Sequence, residues 1–332
     1  MAEMDNSIFR AELMGRRDRL QSAMQTVPDA ARLQHLLEEV DEALHRIEQG
    51  TFGLCEACHD PIEPERLMAD PLVRFCLGDL TPDQRSALQQ DLELAMEIQS
   101  GLLPKRDITA SGWEAHYQYQ PARVVSGDYC DLIPVQHNGS GSLLFLAGDV
   151  SGKGVAASLL MSNLHAIFRS VYTPGMPLQE LVSRANRVFC ENTISSFYAT
   201  LLCGLAHASG EIEICNAGHL PPIILQEDGV TTLGATGLPL GLFCEGQFST
   251  CRMYLKPGAS IVVYTDGLTE ARNPLDEEYG PQRLLELLRT CSKLAPKDVA
   301  RCCLTELTKF LSGAPMTDDL TVMVLRRSAA QA

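Results

Sequence analysis

Residues 143–154 read LLFLAGDVSGKG, an apolar run that ends in Gly148 and Asp149 and continues into a glycine-rich turn. Residues 260–267, SIVVYTDG, repeat this arrangement with Asp266 in place of Asp149. A short apolar run bounded by turn residues is typical of a buried strand. Each of these two strands therefore places a carboxylate on a rigid support, where metal ligands belong.

Two more acidic positions follow the same rule. Asp128 lies in the segment SGDY, and the pair Asp318 and Asp319 directly precedes the apolar run 320–324. Ligand sets made only of oxygen favour Mg²⁺ or Mn²⁺ over zinc, and converging carboxylates can hold two ions that activate a water. An aspartate beside glycine also commonly caps a turn. Because the pattern recurs at separate positions, the sequence favours a metal centre.

From about residue 105 onward, strand-like runs are joined mostly by Gly, Pro and Asn turns. Strands are predicted at residues 113–119, 142–147, 198–205, 211–215, 223–226, 260–264 and 320–325, and helices at 154–172, 178–192, 281–291 and 297–311. Strands mostly follow strands, which predicts an α+β domain with antiparallel sheets instead of a doubly wound fold.

The first third of the chain has a different, helical pattern. Residues 1–50 are predicted to form a coiled-coil hairpin with a turn at 27–29, because apolar residues in its second arm alternate four and three apart. They are Leu33, Leu37, Val40, Leu44 and Ile47. The same spacing predicts a linker helix over 81–104, with Leu88, Leu92, Ala95, Gln99 and Leu102. This helix either pairs with a second copy, which predicts a homodimer, or packs on its own domain.

Composition excludes several classes of protein. The 332 residues hold 27 Lys and Arg against 42 Asp and Glu, a net charge of -15 that disfavours nucleic-acid binding. No apolar run reaches the roughly 20 residues that cross a bilayer, and no export signal is recognisable at the start. The 12 cysteines are therefore expected to be reduced, in a cytoplasmic protein, with some of them holding a metal.

Cysteine spacing predicts a second metal site, in residues 51–80. Cys55 and Cys58 are separated by two residues, and Cys76 follows after 17 more, with Asp79 where a fourth cysteine is usual. Zinc accepts an aspartate oxygen as a ligand, and His59 is the alternative fourth ligand. A Cys-x2-Cys-His segment also matches covalent haem attachment, which the cytoplasmic expectation disfavours.

The C-terminal two thirds resemble the metal-dependent protein phosphatase (PPM) family, in its bacterial SpoIIE-like and RsbU-like branch. The segments that carry the resemblance are 97–104 EIQSGLLP, 121–131 PARVVSGDYCD, 148–154 GDVSGKG, 216–222 NAGHLPP, 237–241 GLPLG, 264–271 YTDGLTEA and 318–322 DDLTV. The resemblance implies an αββα sandwich over 105–328, a binuclear Mn²⁺ or Mg²⁺ centre, and hydrolysis of phosphoserine or phosphothreonine in proteins by an activated water.

The resemblance also implies roles for residues. Asp149 bridges both ions with the Val150 carbonyl, Asp266 and Asp318 hold one ion, and Asp128 serves the other, partly through water. Asp319, next to Asp318, is counted with the ligands. Arg123 is either a phosphate-binding residue or a surface arginine. For His219 a structural role is favoured over proton donation, and Lys153 has no assigned role.

Residues 1–80 resemble the DksA/TraR-type zinc-finger proteins, most clearly in 48–58 EQGTFGLCEAC and 62–67 IEPERL. Such proteins bind RNA polymerase through acidic residues at the tip of a long hairpin. This hairpin has short arms and only Asp29 at its tip, so a sensory or dimerising role is favoured.

We therefore expect a phosphatase regulated by its N-terminal module, and by analogy its substrate is a phosphorylated anti-sigma-factor antagonist of the STAS type. The alternative is a DksA-like protein that binds the transcription machinery and is regulated by its phosphatase domain.

Overall fold

The computed structural model of the chain describes residues 6–24, 31–76, 82–193, 197–227 and 229–328. The chain divides into two compact units between Asp91 and Leu92. The predicted hairpin turn at 27–29, including Asp29, lies outside the described residues, as does Asp79.

The first unit contains the two arms of the predicted hairpin, α1 (Asn6–Met24) and α2 (Ala31–Glu48), followed by the short helix α3 (Pro64–Ala69). The arms pack together, and residues of the cysteine-bearing segment complete the same core. The rings of Phe9 and Phe52, for example, lie 5.4 Å apart. The apolar face of the hairpin is therefore covered at least in part by residues of its own chain.

Helix α4 (Pro82–Leu102) crosses the division between the units. Gln99, on the predicted pairing face, is only 5% exposed. Its amide bonds to the backbone of Ser126 in the same chain. At this position the helix packs on its own domain, which is the second of the two alternatives predicted for it. The exposed apolar residues of the helix include Leu94 and Ile98, at 55% and 59%.

Two antiparallel sheets form the centre of the second unit. The first has the strand order β1-β2-β11-β10-β7-β8 and the second the order β3-β4-β5-β6-β9. The strands are β1 (Asp107–Ala110), β2 (Trp113–Gln120), β3 (Asp128–His137), β4 (Ser140–Val150), β5 (Ala199–His207), β6 (Glu211–Ala217), β7 (Ile223–Gln226), β8 (Gly229–Thr232), β9 (Cys251–Tyr254), β10 (Ser260–Tyr264) and β11 (Leu320–Arg327). The predicted α+β class with antiparallel sheets is confirmed.

Helices cover the outer faces of both sheets, which gives the four layers α, β, β, α. Helices α5 (Val155–Val171) and α6 (Leu178–Asn192) pack on the second sheet, and α8 (Gly280–Cys291) and α9 (Pro296–Leu311) on the first. A short helix, α7 (Asp266–Thr269), follows β10. A third apolar core, which includes Trp113 and Phe145, fills the space between the sheets.

Strand β3 is absent from the sequence prediction although it carries Asp128. The strand contains the buried Asp131 and also Pro134, both of which weaken a strand pattern. Proline is tolerated because β3 is an edge strand of its sheet. Asp131 is tolerated because the Arg169 guanidinium donates two hydrogen bonds of 2.7 Å to its carboxylate.

Candidate active site

The ends of four strands bring the predicted aspartates to one edge of the sandwich. Asp128 begins β3 and is the register partner of Asp149, near the end of β4. Asp266 comes just after β10, and Asp318 just before β11, its antiparallel neighbour. The N–H of Thr265 donates to the Thr321 carbonyl at 3.0 Å, which extends this pairing beyond the strands.

Asp128 joins the two sheets beneath this edge. It is 1% exposed, and its Oδ2 accepts hydrogen bonds from the Thr265 hydroxyl at 2.9 Å and the Thr321 hydroxyl at 2.6 Å. Its other oxygen, Oδ1, is buried and has no hydrogen-bond partner within the described part of the chain. A buried carboxylate oxygen without a donor is costly unless a cation or water satisfies it.

Glycines allow the acidic segments to approach one another. A Cβ on Gly267 would lie 2.0 Å from the Asp319 carbonyl oxygen, so only glycine fits between Asp266 and the start of β11. A Cβ on Gly127 would lie 3.2 Å from the Val150 carbonyl oxygen and 3.6 Å from Asp149 Oδ1. The backbone before Asp128 thus lies against both proposed ligand atoms of β4.

The electrostatics of the site show crowded negative charge. Burial, followed by the charges of Asp266 and Asp318, raises the pKa of Asp149 to about 8. Burial, then the charge of Asp318, raises the pKa of Asp266 to about 6. Burial, reinforced by Asp149, also raises the pKa of Asp128. Each of these carboxylates makes ionisation of its neighbours less favourable. A bound divalent cation would offset this repulsion and stabilise the ionised carboxylates.

Lys153, which has no role in the sequence analysis, is a charge partner of this cluster. Its ammonium group donates to Asp318 Oδ2 at 2.8 Å and to the Thr317 carbonyl at 3.0 Å. The lysine lies in the turn between β4 and α5, flanked by Gly152 and Gly154, both of which have positive φ. Lys153 follows Asp149 by only four residues, within a glycine-rich turn. This spacing is the sequence feature from which its position at the site could have been predicted.

Asp319 differs from its neighbour. It is 8% exposed, and its two carboxylate oxygens accept the N–H groups of Ala122 and Gly127, each at 2.8 Å. The side chain therefore holds the loop 121–127, which leads into Asp128. Asp318 is half-buried, with 35% of its side chain exposed.

Two further predicted residues have contrasting environments. Arg123 is exposed on the loop before Asp128. His219 is 5% exposed, its Nδ1 lies 3.0 Å from the Thr200 hydroxyl, and burial lowers its pKa to about 4. A histidine that stays neutral near pH 7 is a poor proton donor. The favoured structural role of His219 fits this environment.

The cysteines of the first unit form a compact group. The ligand atoms of Cys55, Cys58 and Cys76 all lie within 4.8 Å of one another. Among the described residues, no other three His, Cys, Asp or Glu ligand atoms lie so close together. His59 is thus outside the group, and the aspartates of the second unit are more widely spread. Carboxylates that are spaced more widely can still bind one cation if water molecules supply some of its ligands, which is common for Mg²⁺.

No helix in the described ranges combines the length and apolarity needed to cross a membrane.

Comparison with known proteins gives two matched regions. The family of Stage II sporulation protein E (SpoIIE) matches residues 139–328, more than half of the chain. The prokaryotic dksA/traR C4-type zinc finger matches residues 50–78. Both resemblances inferred from the sequence are confirmed.

Similar proteins support the first match. Protein IcfG of Synechocystis sp. is 28% identical over 267 residues, 72% of this chain but only 42% of that protein. Phosphoserine phosphatase RsbU of Bacillus subtilis is 27% identical over 245 residues, 72% of this chain and 71% of RsbU. The chain thus spans less than half of IcfG.

The fold also matches a solved phosphatase domain. The SiaA-PP2C domain of Pseudomonas aeruginosa superposes with a TM-score of 0.63 at 17% identity, over 73% of this chain and 97% of that domain. The αββα sandwich is therefore a PP2C-like fold. The chain belongs to the SpoIIE family, and its phosphatase-like region has a PP2C-like fold.

Proposed function

We propose that this chain is a metal-dependent phosphatase that hydrolyses phosphoserine or phosphothreonine on a protein. The observation that carries the proposal is the meeting of Asp149, Asp266 and Asp318 at adjoining strand ends, with Asp128 buried beneath them. Membership of the SpoIIE family and the 27% sequence identity with the phosphoserine phosphatase RsbU support phosphate ester hydrolysis as the reaction of these carboxylates.

The donor set fits two hard divalent cations. If two ions bind, Asp149 and the Val150 carbonyl would hold both, Asp266 and Asp318 would hold one, and Asp128 would serve the other, partly through water. The raised pKa values of Asp149 and Asp266 and the unpartnered Oδ1 of Asp128 support this assignment. Bound Mn²⁺ or Mg²⁺ ions supply an activated water and neutralise charge on the phosphoryl oxygens.

The chain's own residues organise the site. The hydroxyls of Thr265 and Thr321 fix the orientation of Asp128. We assign Asp319 to holding the loop before Asp128 instead of to metal binding, because both of its oxygens already accept backbone N–H groups. Arg123 is exposed on that loop, and we propose that its guanidinium binds the substrate phosphate through two hydrogen bonds, in a bidentate arrangement.

The first unit is proposed to carry one structural zinc ion. The three converging sulfurs of Cys55, Cys58 and Cys76 supply three of the four ligands that a tetrahedral site needs. Asp79 is our assignment for the fourth, and His59, which lies outside the sulfur group, is the alternative. We propose that this unit regulates the phosphatase. The alternative, a DksA-like polymerase-binding role, depends on Asp29 at the hairpin tip, which lies outside the described residues.

We further propose that the chain is a homodimer through α4. The surface that we propose for this contact differs from the seam predicted from the sequence, because Gln99 bonds within its own chain. Leu94 and Ile98 lie four residues apart on the same helix face and are more than half exposed. Apolar residues repeated at this spacing are suited to pairing with a second helix.

The proposed substrate is a phosphorylated STAS-type anti-sigma-factor antagonist, by analogy with the branch to which RsbU belongs. The test is release of phosphate from phosphorylated STAS proteins encoded nearby, measured with Mn²⁺ and with Asp149→Asn as the inactive control. Rapid, Mn²⁺-dependent release from one of them, absent in the variant, supports the proposal. Failure to release phosphate from any phosphoserine protein or from p-nitrophenyl phosphate, by protein that binds Mn²⁺, would contradict it.

A further inference from the structure

Gln99 makes a two-sided contact with a backbone segment of the phosphatase domain. Its Nε2 donates to the Ser126 carbonyl at 2.8 Å, and its Oε1 accepts the Ser126 N–H at 3.0 Å. The side-chain amide thus pairs with the backbone of a single residue 27 positions away along the chain. Because Gln99 is 5% exposed, water does not readily replace either bond.

Ser126 lies at the centre of the support for Asp128. Its hydroxyl accepts the N–H of Asp128 at 3.0 Å. The next residue, Gly127, donates its N–H to Asp319, and its carbonyl accepts the N–H of Val150 at 3.4 Å. The short segment 126–128 therefore contacts α4 on one side and the ends of β4 and β11 on the other.

The loop that precedes Asp128 is consequently held by two buried side chains from distant parts of the chain. Asp319 bonds to the loop from the start of β11, within the site itself. Gln99 bonds to it from α4, outside the carboxylate cluster. Without Gln99, the N–H and carbonyl of buried Ser126 lose their partners, and the loop loses the support that comes from the helix.

We propose that Gln99 is a positioning residue for the metal centre, which couples α4 to Asp128 through the backbone of Ser126. A rotation or shift of α4 moves the amide that holds Ser126 and so changes the placement of Asp128 and Gly127. The proposal rests on the proposed phosphatase function and names a structural route by which the helix controls that site. The contact needs both a donor and an acceptor, which defines the variants that test it.

Three substitutions separate this role from general packing. Gln99→Leu keeps a similar volume and removes both hydrogen bonds, whereas Gln99→Glu keeps the acceptor for the Ser126 N–H and removes the donor. Gln90→Leu is the matched control, because Gln90 is exposed on the same helix. Fluorescence of Trp113, the single tryptophan and fully buried between the sheets, monitors whether each variant keeps its fold.

The experiment measures backbone amide hydrogen exchange over residues 122–128 and Mn²⁺ affinity by calorimetry, in the whole 332-residue chain. We expect Gln99→Leu to exchange about tenfold faster in this segment and to bind Mn²⁺ about tenfold more weakly. Gln99→Glu is expected to fall between Gln99→Leu and wild type, and Gln90→Leu to match wild type.

Wild-type exchange in this segment together with wild-type Mn²⁺ affinity in Gln99→Leu would overturn the proposal. Equally faster exchange in all strands would also overturn it, because that result indicates only lost stability. If Gln99→Leu does not fold, Gln99→Glu decides by the same two measurements. Should wild-type protein itself bind no Mn²⁺, the proposed function fails, while the exchange comparison still decides the contact between Gln99 and Ser126.

Discussion

Asp128 and Asp149 are register partners on β3 and β4, yet Asp128 is fully buried and Asp149 is only half-buried. Hydroxyls from the opposite sheet hold Asp128 by one oxygen. Asp149 lies at the open edge, where the charges of Asp266 and Asp318 act on it. We infer that Asp128 sets the position of the centre from below, and that Asp149 faces the other carboxylates at the edge.

The first prediction concerns Asp149→Asn. A neutral amide cannot hold two cations close together, so we expect kcat/KM to fall by at least about 100-fold at saturating Mn²⁺. The fold is expected to remain, because the substitution is isosteric and removes a repulsive charge. Phosphate release and Trp113 fluorescence measure the two effects. Wild-type turnover in this variant would refute the assignment of Asp149.

The second prediction is that rising pH destabilises the metal-free protein. The folded-state pKa values of Asp149 and Asp266, about 8 and about 6, lie above the value of about 3.9 expected in the unfolded chain. The folded state therefore binds more protons between these limits, and its free energy of unfolding falls as the pH rises. The two protonated carboxyl groups make their full contribution to the free energy of unfolding below about pH 4. This contribution is lost as the pH rises through about 6 and then about 8.

Urea unfolding followed by Trp113 fluorescence measures this dependence in protein dialysed against metal-free buffer. We expect the midpoint to fall from pH 5 to pH 8 and to recover when Mn²⁺ is added, because ligands of the folded state stabilise it. Asp149→Asn is the matched control and should show a flatter dependence. A midpoint that rises with pH in wild type, or an equal slope in the variant, would count against the repulsion described above.

The third prediction separates the two neighbouring acids Asp318 and Asp319. Asp318→Asn is expected to weaken Mn²⁺ binding directly. Asp319→Asn keeps one acceptor oxygen and loses the second, so it should mainly loosen the loop that holds Ala122 and Gly127. Calorimetry and hydrogen exchange of residues 122–128 distinguish the effects. If Asp319→Asn abolishes Mn²⁺ binding without faster exchange in the loop, Asp319 is a metal ligand, as its count among the candidate ligands predicts.

Asp149, Asp266 and Asp318 can be located from the sequence because each lies at an end of an apolar run, a local pattern that survives folding. Strand β4 and its Asp149 were predicted in this way. Strand β3 was not, because Asp131 and Pro134 interrupt the pattern and are tolerated only through Arg169 and an edge position. Helix α4 was predicted, but its Gln99 was assigned to the pairing seam, because its partner Ser126 is defined by tertiary packing alone.

The fourth prediction concerns the cysteine cluster. Purified protein is expected to hold about one tightly bound zinc ion per chain by elemental analysis, and Cys58→Ser should lose most of it. We expect Asp79→Ala to weaken zinc binding and His59→Ala to leave it unchanged, because His59 lies outside the sulfur group. A folded protein without zinc would contradict the site, and the reverse result for the two variants would make His59 the fourth ligand.

The last prediction concerns pairing through α4. Because Leu94 and Ile98 are exposed, the double variant Leu94→Glu/Ile98→Glu should split a dimer without disturbing packing within the chain. Two buried charges facing each other across a pair of helices are strongly unfavourable. Light scattering at micromolar concentration measures the mass, and phosphate release from a protein substrate measures the consequence. Gln89→Glu, at an exposed position on a different face of the helix, is the control for added charge.

Leu92→Glu tests the alternative face, which contains the half-buried Leu92 and the buried Gln99. If the dimer uses Leu94 and Ile98, the double variant becomes monomeric and its rate changes, because the helix that contacts Ser126 loses its partner. If only Leu92→Glu dissociates the protein, the originally predicted seam forms the interface despite the internal bonds of Gln99. Wild-type protein that is monomeric at this concentration would rule out both interfaces, and α4 would then act within a single chain.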